Sequence, residues 1–329
     1  MSLLAPTLQA FFTERLARQR QASPATVAAY RDSFRLLLAF ACDHSGKAPS
    51  ALTFDDLDAP TITAFLTHLE ADRRNTARTR NARLAAIRAL FRYAALCHPE
   101  HAATIARVLA IPQKRFDKAI VTFLTRDEAQ ALIDAPDPLR WEGRRDQAIL
   151  ALAVQTGLRV SEITGLNCEH VTIATGAHVA CTGKGRKQRV VPLTAATANT
   201  LRAWTRERGG LPADPLFPTR TGRRLSRDAI ARRVAAHVTT ATQRCPSIAT
   251  KQISPHVLRH SAAMALLQAG VDVSVIALWL GHEDIRSTQT YLHADLAIKE
   301  RALARTNQAS TKPGRFRPPD PLLAFLESL

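Results

Sequence analysis

Residues 280–296, "LGHEDIRSTQTYLHADL", hold a tyrosine in unusually polar company. The chain has three tyrosines, and Tyr30 and Tyr93 sit on apolar helical stripes where an aromatic ring needs no special cause. Tyr291 instead lies among Gln289, Thr290, His293 and Asp295, shortly after the Gly281-His282 pair. Two readings fit this stretch alone. In one, Gly281 is the turn of a helix-turn-helix whose second helix reads a DNA groove, and Tyr291 only touches a phosphate. In the other, the phenol is the reactive group of a site assembled from distant parts of the chain.

Composition favours a polyanionic partner under both readings. A formal charge of +17 over 329 residues attracts nucleic acid before any other common partner. Length predicts two domains. Hydrophobic content of 46% suffices for ordinary cores, and no stretch is long and uncharged enough to span a bilayer. The start carries no basic segment followed by an apolar run, so no secretory signal is expected. Cys42, Cys97, Cys168, Cys181 and Cys245 are odd in number, widely spaced and never paired as C-x-x-C. That pattern fits a reducing cytosol and gives neither a disulfide framework nor a zinc ribbon.

Periodicity predicts a mainly α chain with a small antiparallel β-sheet. Ser23-Pro24 starts a helix on which Val27, Tyr30, Phe34, Leu37 and Ala41 repeat. Thr53 is the expected cap ahead of the stripe Ile62, Phe65, Leu66 and Leu69. In "NTARTRNARLAAIRALFRYAA" the stripe is Leu84, Ile87, Phe91 and Ala94, while Arg78, Arg80, Arg83, Arg88 and Arg92 predict a phosphate-facing surface with no interleaved acid. Residues 109–122 lose the helical period and carry Pro112, Lys114, Arg115 and Lys118, as a basic linker lying along DNA would. Beyond it, Thr125 and Glu128 form a capping box. "HVTI", "AHVACTG" and "QRVVPL" are the strand candidates, and Ser274 and Ser287 are expected to open the last two helices before and through Tyr291.

Four separated stretches can carry chemistry. In "TGLRVSEITGL", Gly157 ends one helix and Arg159 begins the next, where its planar fork can hold an oxyanion with Glu162 steadying it. In "CTGKGRKQRVVPL", Lys184 stands between two glycines at a hairpin tip. In "SPHVLRHSAAMALL", His256, Arg259 and His260 share one helix face. Paired histidines suggest a metal, but the Glu of H-E-x-x-H and a third ligand are missing and Arg259 would oppose the ion, so no metal is expected. The fourth stretch holds His282 and Tyr291.

Taken in order, Arg, Lys, His-x-x-Arg-His, Gly-His and Tyr resemble the tyrosine recombinases, the lambda-integrase or phage integrase family. The resemblance is strong over residues 125–300 or so and looser over the N-terminal helices, where "RTRNARLAAIRALFRY" resembles the family's core-binding domain. It implies a helical DNA-clamping domain at 1–112, a basic linker at 113–122, an α+β catalytic domain at 123–308, and a tail at 309–329 for docking on a neighbouring protomer. It implies a site-specific recombinase or integrase that cuts and rejoins double-stranded DNA through a 3′-phosphotyrosyl bond, for integration, resolution or movement of a mobile element. Tyr291 would be the nucleophile, Arg159 and Arg259 the clamp on the non-bridging oxygens, and Lys184 the acid for the leaving 5′-oxygen. His256 would move protons, His282 would bind the phosphate, and Glu162 and His260 would support them. Arg78, Arg80, Arg83, Arg88, Arg92, Lys114 and Arg115 would hold DNA. The implied assembly on DNA is a homotetramer or a mixed set of recombinases in the cytoplasm, with neither ATP, metal nor other cofactor. The strand-relaxing type IB topoisomerases share this chemistry.

Overall fold

The computed structural model describes residues 3–116, 121–183, 187–282, 288 and 291. The chain divides into two compact units, Met1–Lys118 and Ala119–Leu329, so the division falls within the expected linker.

The first unit is helical: α1 (Leu4–Ala10, running on through wide π-type turns at Phe11–Gln19), α2 (Pro24–Ser45), α3 (Ala59–Ala71), α4 (Ala77–Cys97) and α5 (Ala102–Ala110). Ser23 caps α2 by accepting from the Thr26 amide at 3.2 Å, with Pro24 at the first helical position. Asp58, not Thr53, caps α3, accepting from the Thr61 amide at 2.9 Å. Thr53 turns the other way and donates both its amide and its hydroxyl to Asp56. The expected stripes are the core: Ile62, Phe65, Leu66 and Leu69 of α3 and Leu84, Ile87, Phe91 and Ala94 of α4 are all buried. Each large apolar side chain there contributes about 1.5–3 kcal/mol of transfer energy.

The arginines of α4 do not form the uniform surface expected. Arg78 and Arg92 are exposed, as is Arg115 beyond the helix. Arg80 is only 6% exposed and donates to the carbonyl of Pro112 and to Asn81 Oδ1. Arg88 donates to the carbonyl of Ile111, and Arg83 to Ser33 Oγ at 3.0 Å. Asn81 accepts from the Lys114 amide and donates to its carbonyl, and Lys114 Nζ reaches Glu70 at 2.7 Å. The start of the linker is thus laced onto α4 by the side chains expected to face phosphate. Burying the Arg80 guanidinium is tolerable because Nη1 finds the Pro112 carbonyl and Nε lies 3.6 Å from the Glu70 carboxylate.

The second unit contains α6 (Arg126–Ile133), α7 (Trp141–Thr156), α8 (Val160–Gly165), β1 (Val171–Thr172), β2 (His178–Thr182), β3 (Gln188–Pro192), α9 (Ala195–Arg208), α10 (Arg227–Arg244), α11 (Pro255–Gln268) and α12 (Val273–Leu280). Both hydrogen bonds of the Thr125–Glu128 capping box are made at the start of α6. The strands form an antiparallel meander in the order β1-β2-β3, with Val179 opposite Val191 and Cys181 opposite Arg189. Helix α7, buried on every side from Ala148 to Ala153, packs between α9 and α11. It stops at Gly157, whose φ of +63° suits glycine, and a Cβ there would lie 2.7 Å from a Leu280 methyl. Gly157 therefore lets the end of α7 touch the end of α12. Asp272, rather than Ser274, caps α12. The expected cap Ser287 and the tail at 309–329 lie outside the described residues.

Candidate active site

Helices α7, α8, α11 and α12 bring their ends to one place. Arg159 precedes α8, and its amide donates to Glu162 Oε2 at 2.7 Å while its Nη1 donates to Oε1 at 2.9 Å. Its Nη2 donates to the Gly281 carbonyl at 3.0 Å. Arg259, on α11, donates Nη1 to the Gly157 carbonyl and Nη2 to the Leu280 carbonyl, each at 2.7 Å. The two guanidiniums differ in access. Arg159 keeps 31% of its side chain exposed, whereas Arg259 as a residue is 3% exposed.

A third arginine, singled out by nothing in the sequence reading, completes the set. Arg189 of β3 donates Nη1 and Nη2 to the two oxygens of Glu162 at 2.9 and 2.8 Å, and Nε to the Trp279 carbonyl at 3.1 Å. Consecutive carbonyls of Trp279, Leu280 and Gly281 thus receive Arg189, Arg259 and Arg159. These carbonyls are the negative end of the α12 dipole, so the helix supplies partial charge where the cations gather.

Tyr291 is 3% exposed and its hydroxyl lies 3.0 Å from His260 Nδ1. The His256 ring meets the His260 ring edge-on at 4.2 Å between centroids. The His282 ring lies nearly parallel to that of Tyr291, and His282 Nδ1 is 2.7 Å from Thr288 Oγ1. Thr288, 1% exposed, is a further residue that sequence reasoning missed; nothing distinguishes it from the neighbouring Ser287 and Thr290. Arg159, Glu162, His256, Arg259, His260, His282 and Tyr291 therefore lie together, while Lys184 lies outside the described residues. The partner of the phenol is His260 rather than His256.

The electrostatics follow from burial among cations. Burial and then the neighbouring charges of His256 and Arg259 push His260 down to about 4. Burial and then Arg259, Arg159 and Arg189 push His282 down to about 4 as well. Both imidazoles are neutral at physiological pH and can accept a proton or a hydrogen bond. Burial lowers Arg259 to about 10, helped by Arg159, and it stays cationic at neutral pH. Burial raises the Tyr291 phenol, while Arg259 and Arg159 pull against it. Burial would raise Glu162, yet hydrogen bonds from Arg189 and Arg159 hold it below its ordinary value. A neutral acceptor against a phenol, beside fixed guanidinium forks, is an arrangement suited to attack on a phosphodiester. Among the described residues no three His, Cys, Asp or Glu side chains gather as a metal-binding group.

Residues 122–297 match the phage integrase family, and residues 10–98 match the phage integrase N-terminal SAM-like domain. Over 326 residues the chain is 53% identical to y4rC of Sinorhizobium fredii, named as an integrase/recombinase, covering 99% of this chain and 98% of that one. It is 35% identical over 286 residues to the tyrosine recombinase XerC of Pelobacter propionicus, covering 87% and 90% of the two chains. In fold it is similar to the XerH site-specific recombinase solved in a post-cleavage complex with a palindromic difH substrate, at a TM-score of 0.69 and 22% identity over 87% of this chain and 81% of that one.

Proposed function

This chain belongs to the phage integrase family of tyrosine recombinases, and from that premise we propose how its own residues cut and rejoin DNA. It is a site-specific recombinase, an enzyme of DNA strand transfer. Tyr291 attacks the scissile phosphorus, and its proton passes to neutral His260, 3.0 Å away. Arg159 and Arg259 hold the non-bridging oxygens as charge gathers on them, with His282 hydrogen-bonding the same phosphate. The bond to the 5′-oxygen breaks, that oxygen takes a proton from Lys184, and a 3′-phosphotyrosyl ester remains. Attack by a second 5′-hydroxyl reverses the steps. The ester keeps the energy of the phosphodiester, so the cycle balances without ATP or metal. His256 packs edge-on against His260, and we assign it to acid-base transfer at the same site. The observation that carries this reading is the Tyr291–His260 contact beside the arginine forks.

Four copies acting on two duplexes, in the cytoplasm of a cell carrying a mobile element, is the assembly we infer. Residues 1–112 and 123–308 would each contact the duplex, joined by 113–122, with 309–329 serving a neighbouring copy. No helix among the described residues is long and apolar enough to cross a membrane.

A nicked duplex tests the reading directly. Its sequence is recovered from a random pool by binding to the chain, and its nick lies just beyond the mapped cleavage point so that the released strand diffuses away. The wild-type chain should form a covalent adduct on a denaturing gel, in EDTA and without nucleotide. Absence of an adduct on that duplex, or its appearance only with a divalent ion, would refute the mechanism.

Binding should depend steeply on salt. If the +17 surface makes several phosphate contacts, affinity falls about 10³- to 10⁵-fold between roughly 50 and 200 mM salt. Arg78→Ala with Arg92→Ala should weaken binding to all sequences and reduce the logarithmic salt slope by about 2. Arg80→Ala should instead lower the melting temperature, because that side chain is buried. A flat salt dependence would contradict the phosphate contacts.

A further inference from the structure

We propose that Arg189 is a positioning residue for strand cleavage, setting Glu162, and through it Arg159, against the end of α12. The proposal rests on the recombinase reading above. Arg189 sits on the same face of its strand as Val191, the face turned to the core, directly opposite Cys181. An arginine there, with 12% of its side chain exposed, needs fixed partners, and it has them in two directions. One is the carboxylate of Glu162, gripped at both oxygens; the other is the Trp279 carbonyl.

The main chain is shaped around this guanidinium. A Cβ on Gly281 would lie 2.9 Å from Arg189 Nη1, and one on Gly183 would lie 3.1 Å from the same atom. Both glycines let backbone rest against Arg189. Gly281 gives its carbonyl to Arg159 and is followed by His282; Gly183 leads into Lys184. Gly183, Lys187, Gln188, Arg189, Gly281 and His282 also line a cleft of about 240 Å³ beside the site.

Two consequences separate Arg189 from a general structural arginine. The first is charge. Two guanidiniums share the single carboxylate of Glu162, so one positive charge remains for a phosphate. Without Arg189 the Arg159–Glu162 pair would be neutral, and Glu162 would compete with the phosphate for the Arg159 fork. The second is geometry. Glu162 is 5% exposed and accepts four hydrogen bonds, two from Arg189. Losing those two leaves a buried carboxylate free to swing and take Arg159 with it.

The test uses the full chain and the nicked, pool-selected duplex. Single-turnover cleavage is measured at saturating DNA, well below each variant's melting temperature, beside DNA affinity. Arg189→Met should cleave about 10²-fold more slowly, the scale of a catalytic group misplaced by about 1 Å, with affinity unchanged. Arg189→Lys keeps the charge but loses the fork, and should fall between the two; if the methionine variant fails to fold, the lysine variant carries the test. Glu162→Gln combined with Arg189→Met should be no slower than Glu162→Gln alone, because both act through one contact. Wild-type cleavage by Arg189→Met, a loss confined to DNA affinity, or losses that multiply in the double variant would overturn the assignment. An adduct formed by the wild type while those results appear leaves the recombinase reading standing. No adduct from the wild type itself removes that reading and this one together.

Discussion

Tyr291→Phe is expected to eliminate the covalent protein–DNA adduct while leaving the fold and DNA affinity nearly intact. The substitution removes one oxygen from a side chain that is 3% exposed, and the ring keeps its place against Met264, Leu267, Ile276 and Leu280. The thermodynamic cost is one hydrogen bond to His260, about 1 kcal/mol with some addition for the imidazole nitrogen left without its partner. The chemical cost is total, because no phenylalanine atom can form an ester with phosphorus. A denaturing gel with labelled nicked duplex reads the first effect, and gel-shift affinity with thermal melting reads the second. Adduct formed by the phenylalanine variant would move the nucleophile elsewhere. A wild type that binds without ever forming an adduct would support the helix-turn-helix alternative, in which this substitution changes affinity alone.

The arginines should show the next largest effects, and they should not behave alike. On the proposed mechanism Arg159→Ala and Arg259→Ala would each remove a charged fork from the transition state, and loss of one such group slows cleavage by about 10²- to 10³-fold or more. Their effects on stability diverge. Arg159 is partly open, and its removal leaves Glu162 still held by Arg189. Arg259 is buried and bridges the ends of α7 and α12, so its removal strands the carbonyls of Gly157 and Leu280. Each buried acceptor left unpaired costs about 1–3 kcal/mol. Single-turnover rates and melting curves should therefore show similar rate losses but a clearly lower melting temperature for Arg259→Ala. Arg259→Lys should retain charge yet lose the planar fork whose two nitrogens reach the two carbonyls, and should remain well below wild type in rate. Equal stability of the two alanine variants would contradict the bridging role.

What the sequence made legible was set by chemical rarity. His256, Arg259, His260, His282 and Tyr291 stand out because polar, reactive groups interrupt apolar helix faces at short, regular spacings. Helix stripes and the capping box were legible because burial imposes a period and unpaired amides need a cap. Arg189 was not, although it lies within the quoted "CTGKGRKQRVVPL": a basic residue near a hairpin looks like ordinary solvated charge until the strand register turns it inward. Arg80 misled for a related reason. It extends the stripe of Leu84, Ile87 and Phe91 by one helical step, so its inward direction was present in the period, but its charge argued for the surface. The choice of His260 over His256 as the phenol's neighbour depends on how the stretch bearing Tyr291 approaches α11, which local spacing does not specify.

The three carbonyls that close α12 also bear on how this recombinase can drift. A catalytic cradle made from side chains presents many positions at which a single base change breaks it. Here the acceptors at residues 279, 280 and 281 are peptide oxygens, present whatever amino acid is encoded. Exposed positions such as Val275 and Leu278 can therefore be exchanged during divergence with little effect on the cradle, provided the helix persists. The information that protects it is concentrated in two codons. Gly281, with φ at +65° and no room for a Cβ beside Arg189, and Gly157, equally hemmed in by Leu280 and Ala262, are where a mutational scan should find intolerance in residues that perform no chemistry.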